Sequence, residues 1–196
     1  MGAPKYSLCL ALFALAILPL CSAQRAIILV RHAEKIDDNL NGKDVPLSKA
    51  GKDRAQLLAE MLKDSGITVI YATDTVRTRD TALPTARKLG LKIRNLEQHD
   101  PEGAVRRMQH ENANDVVLIV GHADTLPGLL EALGYRREIK IPNADYTNFF
   151  VVIPREGKAP SIIRVGYGED EDEHDARRKN PPAPRRKSAM PAPGQP

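Results

Sequence analysis

The sequence predicts an α/β fold, a three-layer sandwich in which helices cover both faces of a mostly parallel sheet. Short apolar runs rich in Ile and Val alternate with stretches whose apolar residues recur at helical spacing. This alternation is typical of parallel sheets whose strands are joined by crossover helices. The runs are apolar throughout rather than at every second residue, which indicates strands that are buried on both faces.

The predicted elements alternate between strand and helix over most of the domain. Ser48 is expected to cap the first helix, because its hydroxyl can accept a hydrogen bond from the first turn. Pro84 is expected near the first turns of the second helix, where proline is tolerated, and Gly134 is expected to end the last helix. The predicted strands cover residues 25–30, 67–72, 91–96, 115–120, 148–153 and 161–165, and the predicted helices cover residues 48–64, 77–89, 104–111 and 125–133.

A segment near the start of the chain has the features of an export signal. Lys5 precedes the apolar residues 8–20, and small residues follow at 21–23. We therefore expect residues 1–23 to be a signal peptide and the protein to be periplasmic or secreted. The apolar run is too short to cross the roughly 30 Å bilayer core as a helix, so we expect no stable membrane insertion after cleavage. Both cysteines lie in this segment, which leaves no thiol for chemistry in the mature chain.

The last segment differs in composition from the rest of the chain. Residues 169–196 hold six acidic residues, six basic residues and six prolines, with no apolar face. Such a segment cannot bury enough apolar surface to fold, so we expect a disordered tail after a single domain over residues 24–168. The net charge of +4 and the absence of Trp also argue against a nucleic-acid partner.

Three of the predicted strands run directly into polar residues. The first is followed by Arg31 and His32, the second by Thr73 and then Arg77, and the third by a glycine and His122. Ligands of open α/β sheets bind beyond the carboxyl ends of the strands. If these strands are parallel neighbours, two histidines and two arginines meet in one crevice.

This set of side chains suits phosphoryl transfer. The planar fork of an arginine matches phosphate oxygens, and a neutral imidazole can attack phosphorus and carry the covalent group. Negative charge spreads over three oxygens during the transfer, and positive donors stabilise it. We expect neither a metal nor a cofactor, because the sequence has no HxH, HExxH, Walker or GxGxxG pattern. The absence of a GxSxG pattern argues against a serine hydrolase.

Four motifs, in order, resemble the histidine phosphatase superfamily, whose fold is phosphoglycerate mutase-like. Residues 31–35 (RHAEK) resemble its signature, and residues 46–51 (PLSKAG) resemble the start of its first helix. Residues 73–82 resemble its Ser-x-x-x-Arg-x-x-x-Thr-Ala element, and residues 121–122 match its second histidine. The resemblance covers roughly residues 26–168.

The resemblance implies that His32 is the transiently phosphorylated nucleophile. Arg31, Arg77 and His122 would complete a phosphate pocket that phosphate or sulfate can occupy. The short segment 91–115 leaves no room for the large insertions that roof the site in mutases. The implied activity is therefore a metal-independent phosphatase for a bulky or envelope-associated phosphorylated substrate. The alternative is a catalytically silent module that binds a phosphorylated ligand.

The general acid stays open at this point. A leaving alkoxide needs a proton, usually from a carboxyl group. In much of the family the acid lies between the arginine motif and the second histidine. Asp100 and Glu102 are therefore included among the candidate catalytic residues, with Glu97 and Asp124 as alternatives.

Overall fold

The computed structural model describes residues 26–37, 39–40, 42–155 and 157–168. The predicted export signal and the predicted tail lie outside these residues. Within them the chain forms a mixed sheet covered by helices on both faces, and the predicted α/β class is confirmed. The strands are β1 (Ala26–Arg31), β2 (Ile67–Ala72), β3 (Ile93–Asn95), β4 (Val116–Gly121), β5 (Asn148–Arg155) and β6 (Lys158–Gly166), and the helices are α1 (Lys49–Leu62), α2 (Val76–Leu89), α3 (Pro101–Glu111) and α4 (Thr125–Ala132).

The sheet has the strand order β3-β2-β4-β1-β5-β6. β3, β2, β4 and β1 are parallel, whereas β5 is antiparallel to β1 and β6 is antiparallel to β5. β4 therefore lies between β1 and β2, with Arg31 paired to Gly121 and Ala72 paired to Val120. This register places the carboxyl ends of the three strands side by side, as the crevice hypothesis requires.

Successive residues of the central strands point into two separate apolar layers. Ile27 and Leu29 of β1 pack on the layer that α3 and α4 cover, whereas Ile28 and Val30 pack on the layer that α1 and α2 cover. Both faces of the strand are therefore buried, which explains why its sequence is apolar without alternation. No helix in the described part of the chain is long and apolar enough to span a membrane.

The helix ends follow the expected capping chemistry in most places. The Ser48 hydroxyl accepts a hydrogen bond from Gly51 N at 3.0 Å, and Gly134 has a φ of 95° just after α4. The prediction for Pro84 is wrong, because this residue lies in the second half of α2. The helix nevertheless continues to Leu89, although proline removes one of its backbone hydrogen bonds.

The third helix starts earlier than its apolar pattern indicates. Its first residue is Pro101, three residues before the predicted start, since Asp100 caps it by accepting a hydrogen bond from Gly103 N at 2.8 Å. An Asp-Pro pair at the cap and first position is a common helix start. The polar first turn carries no apolar periodicity, and the periodicity alone therefore placed the boundary too late.

Candidate active site

Two histidines and two arginines lie together beyond the carboxyl edge of the sheet. Arg31 ends β1, His32 follows it, and His122 follows β4. His32 N donates a hydrogen bond to Gly121 O at 2.8 Å, and the two imidazole rings have centroids 5.2 Å apart. Arg77 lies in the first turn of α2, and its charge lowers the pKa of both histidines. The predicted convergence is therefore observed, while the catalytic roles stay predictions.

The orientation of the His32 ring fixes which nitrogen is available for chemistry. Its Nδ1 lies 2.7 Å from the backbone oxygen of Ala33. A carbonyl oxygen only accepts hydrogen bonds, so Nδ1 carries the proton and Nε2 carries the lone pair. Burial lowers the pKa of His32 to about 2, with smaller contributions from the positive charges of Arg31, His122 and Arg77 and against the Ala33 hydrogen bond, which raises it. His32 is therefore a neutral imidazole with a free Nε2 lone pair at any physiological pH.

The backbone after His32 is held from three directions. Ala33 N donates to the Thr81 hydroxyl on α2 at 2.9 Å. Ser48 N, at the start of α1, donates to Glu34 O at 2.9 Å. The Glu34 carboxylate is buried and accepts from Arg54 Nε at 2.7 Å, and Arg54 is itself buried on α1. The loop that carries His32 is thus joined to both helices on one face of the sheet.

The Arg31 guanidinium is positioned by the segment that precedes β5. Its Nη1 donates to Pro142 O at 3.1 Å and to Asp145 O at 2.9 Å. The guanidinium also lies 4.0 Å from the centre of the Tyr146 ring, and that ring lies 5.8 Å from the His32 ring. Stacking and backbone hydrogen bonds together fix the plane of the fork beside His32.

The Arg77 guanidinium is positioned by the loop between His32 and α1. Its Nη1 donates to Gly42 O at 2.6 Å. The same loop is joined to α2 by a hydrogen bond from Val76 N to Lys43 O at 2.9 Å. The loop between the nucleophile and α1 therefore orients the second arginine of the site.

His122 is buried beside a hydroxyl group. Its Nε2 lies 2.8 Å from the Thr73 hydroxyl. Burial, followed by the charge of Arg77, lowers the pKa of His122 to about 4, whereas the negative charge of Asp124 acts in the opposite direction. His122 is therefore neutral near pH 7 and offers a hydrogen bond without a full positive charge.

Part of this site lies in a segment that is similar to a known protein family. Residues 27–99 match the model of the histidine phosphatase superfamily, branch 1. The matched segment includes Arg31, His32 and Arg77, which are three of the four residues of the predicted phosphate pocket. The similarity to this superfamily extends over 73 of the 196 residues. It agrees with the resemblance drawn from the motifs.

One curated relative is similar to this chain over part of its length. A probable phosphoglycerate mutase GpmB of Yersinia enterocolitica is 37% identical over 71 residues, which are 34% of this chain and 33% of the relative. The chain thus matches about a third of the length of this curated relative.

Solved structures share the fold at low sequence identity. The putative phosphohistidine phosphatase SixA from Agrobacterium tumefaciens is 19% identical with a TM-score of 0.57, covering 74% of this chain and 99% of that one. A protein histidine phosphatase SixA complexed with tungstate is 17% identical with a TM-score of 0.59, covering 72% of this chain and 96% of that one. The phosphoglycerate mutase-like fold expected from the motifs is therefore observed.

The four candidate acids occupy different places. The Asp100 carboxylate caps α3, and Glu102 forms an exposed ion pair with Arg106. Glu97 lines a separate cavity of about 360 Å³ beside β3. Asp124 follows His122 by two residues, and its charge opposes the lowering of the pKa values of His122 and of Arg77. No group of three His, Cys, Asp or Glu within the described ranges is arranged to hold a metal ion.

Sequence reasoning did not find two parts of the candidate site. Tyr146 lies in an irregular segment without a motif, and Arg54 looks like any charged residue of an amphipathic helix. A signal for Tyr146 does exist, because it precedes β5. A strand antiparallel to β1 begins at the edge where β1 ends, so residues just before it reach the site. Arg54 has no comparable signal, since its partner Glu34 is distant in sequence.

Because the two histidines are buried and neutral, we expect the free energy of unfolding to fall as the pH is lowered. An unfolded histidine has a pKa of about 6.5, whereas the folded pKa values are about 2 for His32 and about 4 for His122. Between these limits the unfolded chain binds more protons than the folded chain, so acid favours unfolding. Each histidine should lower the free energy of unfolding by about 1.4 kcal/mol per pH unit below about pH 6.5. Urea unfolding at a series of pH values between 7 and 4 measures this slope.

A matched pair of variants isolates the histidine contribution. His32→Asn should remove close to half of the slope that the two histidines supply between about pH 6 and 5. His110→Asn, on the exposed face of α3, should keep the slope of the unmodified protein. An unchanged slope in His32→Asn would show that His32 is not held neutral in the folded state.

Proposed function

We propose that this protein is a metal-independent phosphatase that hydrolyses phosphate esters through a phosphohistidine on His32. The observation that carries the proposal is the fixed, neutral His32, whose Nδ1 is bound to Ala33 O and whose Nε2 keeps its lone pair. Arg31 and Arg77 supply positive charge near enough to this ring to lower its pKa. A tungstate ion, which resembles phosphate in shape and charge, is bound by one structural neighbour.

The reaction follows from these positions in two steps. Nε2 of His32 attacks phosphorus, the bond from phosphorus to the leaving oxygen breaks, and that oxygen takes up a proton. Water then attacks the phosphohistidine, the N–P bond breaks, and inorganic phosphate leaves while Nε2 regains its lone pair. The proton lost by the water returns to the group that protonated the leaving oxygen. Arg31, Arg77 and His122 stabilise the charge on the phosphoryl oxygens in both steps.

The short connection between β3 and β4 fits a bulky substrate better than a small substrate that the site must enclose. Between β3 and β4 it has only α3, and a mutase reaction needs a site that excludes water from the phosphoenzyme. We therefore propose hydrolysis rather than phosphoryl transfer to a second hydroxyl. A phosphorylated envelope polysaccharide or a phosphoprotein would fit this proposal.

Hydrolysis of p-nitrophenyl phosphate in the presence of a chelator tests the reaction class. The purified protein should release p-nitrophenol, and His32→Ala should lower the rate by at least about 10³-fold because it removes the nucleophile. The exposed His110→Ala serves as the control and should keep the rate. A rapid quench without acid, which preserves the acid-labile N–P bond, should trap phosphate on the unmodified protein. If the protein binds phosphate but shows neither turnover nor trapped phosphate, the result would favour the silent binding module instead.

The leaving-group acid can be identified by changing the leaving group. We propose Asp124, because of the four candidates it is the carboxylate whose charge acts on His122 and Arg77. Asp124→Asn should slow hydrolysis of an alkyl phosphate by about 10²-fold or more and that of p-nitrophenyl phosphate far less. The matched variants are Asp100→Asn and Glu102→Gln. Selective loss with the alkyl substrate in either of these, and none in Asp124→Asn, would return the role to the α3 carboxylates.

We also propose that the protein acts outside the cytoplasm, on the basis of residues 1–23. Expression of the full chain in a bacterium should give a periplasmic or secreted product whose mass lacks residues 1–23. Leu15→Asp interrupts the apolar run and should leave the uncleaved chain in the cytoplasm. An uncleaved, cytoplasmic product from the unmodified chain would contradict the proposal.

A further inference from the structure

A group of three buried threonine hydroxyls lies behind His122. The Thr73 hydroxyl is 2.8 Å from His122 Nε2 and 3.1 Å from the Thr78 hydroxyl. The Thr75 hydroxyl is 2.8 Å from the same Thr78 oxygen. All three threonines are buried. The proposed mechanism makes no use of these hydroxyls, although one of them contacts a residue of the phosphate pocket.

Counting protons restricts the directions of these hydrogen bonds. The Thr78 hydroxyl lies 2.7 Å from Thr73 O and 3.0 Å from Thr75 O, and carbonyl oxygens only accept. Its single proton therefore goes to a backbone carbonyl, and its oxygen accepts from another hydroxyl. The Thr73 hydroxyl then has two acceptors in reach for its one proton, the Thr78 oxygen and His122 Nε2.

Each choice fixes a different form of neutral His122. When Thr73 donates to Thr78, the Thr73 oxygen accepts from Nε2–H, and Nδ1 of His122 carries a lone pair. When Thr73 donates to Nε2, the proton of His122 resides on Nδ1, and Thr75 can donate to the Thr78 oxygen instead. Rotation of one hydroxyl group separates the two arrangements. Nδ1 is buried and has no hydrogen-bond partner among the described residues, so no protein group fixes which form it takes. The His122 ring lies 5.2 Å from the His32 ring, between their centroids, which puts it within reach of a phosphoryl group on His32.

Phosphoryl oxygens distinguish between the two forms because they only accept hydrogen bonds. A lone pair on Nδ1 would repel them, whereas Nδ1–H would donate to them. We propose that Thr73 is a positioning residue that stabilises the Nδ1–H tautomer of His122, so that neutral His122 donates a hydrogen bond to the phosphoryl group. This inference rests on the proposed function only in taking a phosphoryl group as the ligand.

The surroundings of His122 favour a change between its two neutral tautomers over protonation to the positively charged imidazole. Arg77, Arg31 and Lys35 oppose a positive imidazole, Asp124 favours one, and burial adds to the opposition. The balance keeps the pKa of His122 near 4. A neutral donor is therefore available to the phosphoryl group across the physiological pH range, provided that a hydroxyl group stabilises the required tautomer.

Nitrogen NMR of the full-length protein tests the inference without any turnover. Long-range ¹H–¹⁵N spectra distinguish Nδ1–H, Nε2–H and doubly protonated histidine by their nitrogen shifts. With saturating inorganic phosphate at neutral pH, His122 should show the Nδ1–H pattern. An Nε2–H pattern, a doubly protonated ring, or signals that phosphate leaves unchanged would each overturn the proposal.

Matched threonine variants test the role of the hydroxyl. Thr73→Val removes the hydroxyl at nearly constant volume and should lower kcat for p-nitrophenyl phosphate by about 10- to 100-fold. This is less than the roughly 10²- to 10³-fold loss for removal of an oxyanion donor itself, because His122 is still present. With phosphate bound, it should also show a mixture of His122 tautomers. Thr73→Ser restores a hydroxyl and should recover most of kcat and the Nδ1–H pattern. An unchanged kcat and tautomer in Thr73→Val would overturn the proposal.

The control for these variants is Thr85→Val in α2. Thr85 is fully buried, and its hydroxyl makes no hydrogen bond in the described part of the chain. This variant should keep kcat and thermal stability, so that a loss specific to Thr73 is separated from a general effect of removing a buried hydroxyl. If no variant hydrolyses any phosphate ester but His122 shows Nδ1–H with bound phosphate, the proposed function fails while this inference stands.

Discussion

The buried pair of Glu34 and Arg54 supports the geometry of the whole site. A carboxylate in the interior is strongly unfavourable without a partner, and Arg54 supplies two nitrogens to Glu34 Oε1. The pair forms only if the first turn of α1 lies directly against the loop after β1. Gly51 permits this approach, because a side chain there would overlap the Glu34 backbone oxygen. The loop is thereby closed onto α1, and the His32 ring reaches the hydrogen bond with Ala33 O that fixes its tautomer.

The same positive charges have two effects in the proposed chemistry. Arg31 and Arg77 attract an anionic phosphoryl group, and they also oppose protonation of both imidazoles. A nucleophilic histidine in water would be partly protonated and inactive near its pKa of about 6.5. Burial among cations keeps the lone pair free, at the expense of folding stability in acid. Burial of the histidines among cations therefore both destabilises the folded chain in acid and keeps His32 suited to attack on phosphorus.

The fold and the centre of the site could be predicted because their signals are local. Apolar runs gave the strands, and polar residues directly after two of them gave Arg31, His32 and His122. The helix boundary that failed is one where apolar pattern and capping disagree. The start of α3 depends on Asp100 and Pro101 rather than on apolar periodicity. Pro84 is interior with either set of bounds, because it is the eighth residue of the predicted helix 77–89 and the ninth of α2.

The rest of the site depends on pairings that no local pattern encodes. Tyr146 reaches Arg31 because β5 lies antiparallel beside β1, and this neighbour relation belongs to the topology of the sheet. The candidate acids also show that position in the sequence does not determine the contacts of a side chain. Asp100 and Glu102 fall in the stretch where a family argument seeks an acid, yet one caps a helix and the other pairs with Arg106. Residue type and order along the chain restrict the candidates for an acid, and electrostatic coupling to His122, which only the folded chain reveals, distinguishes among them.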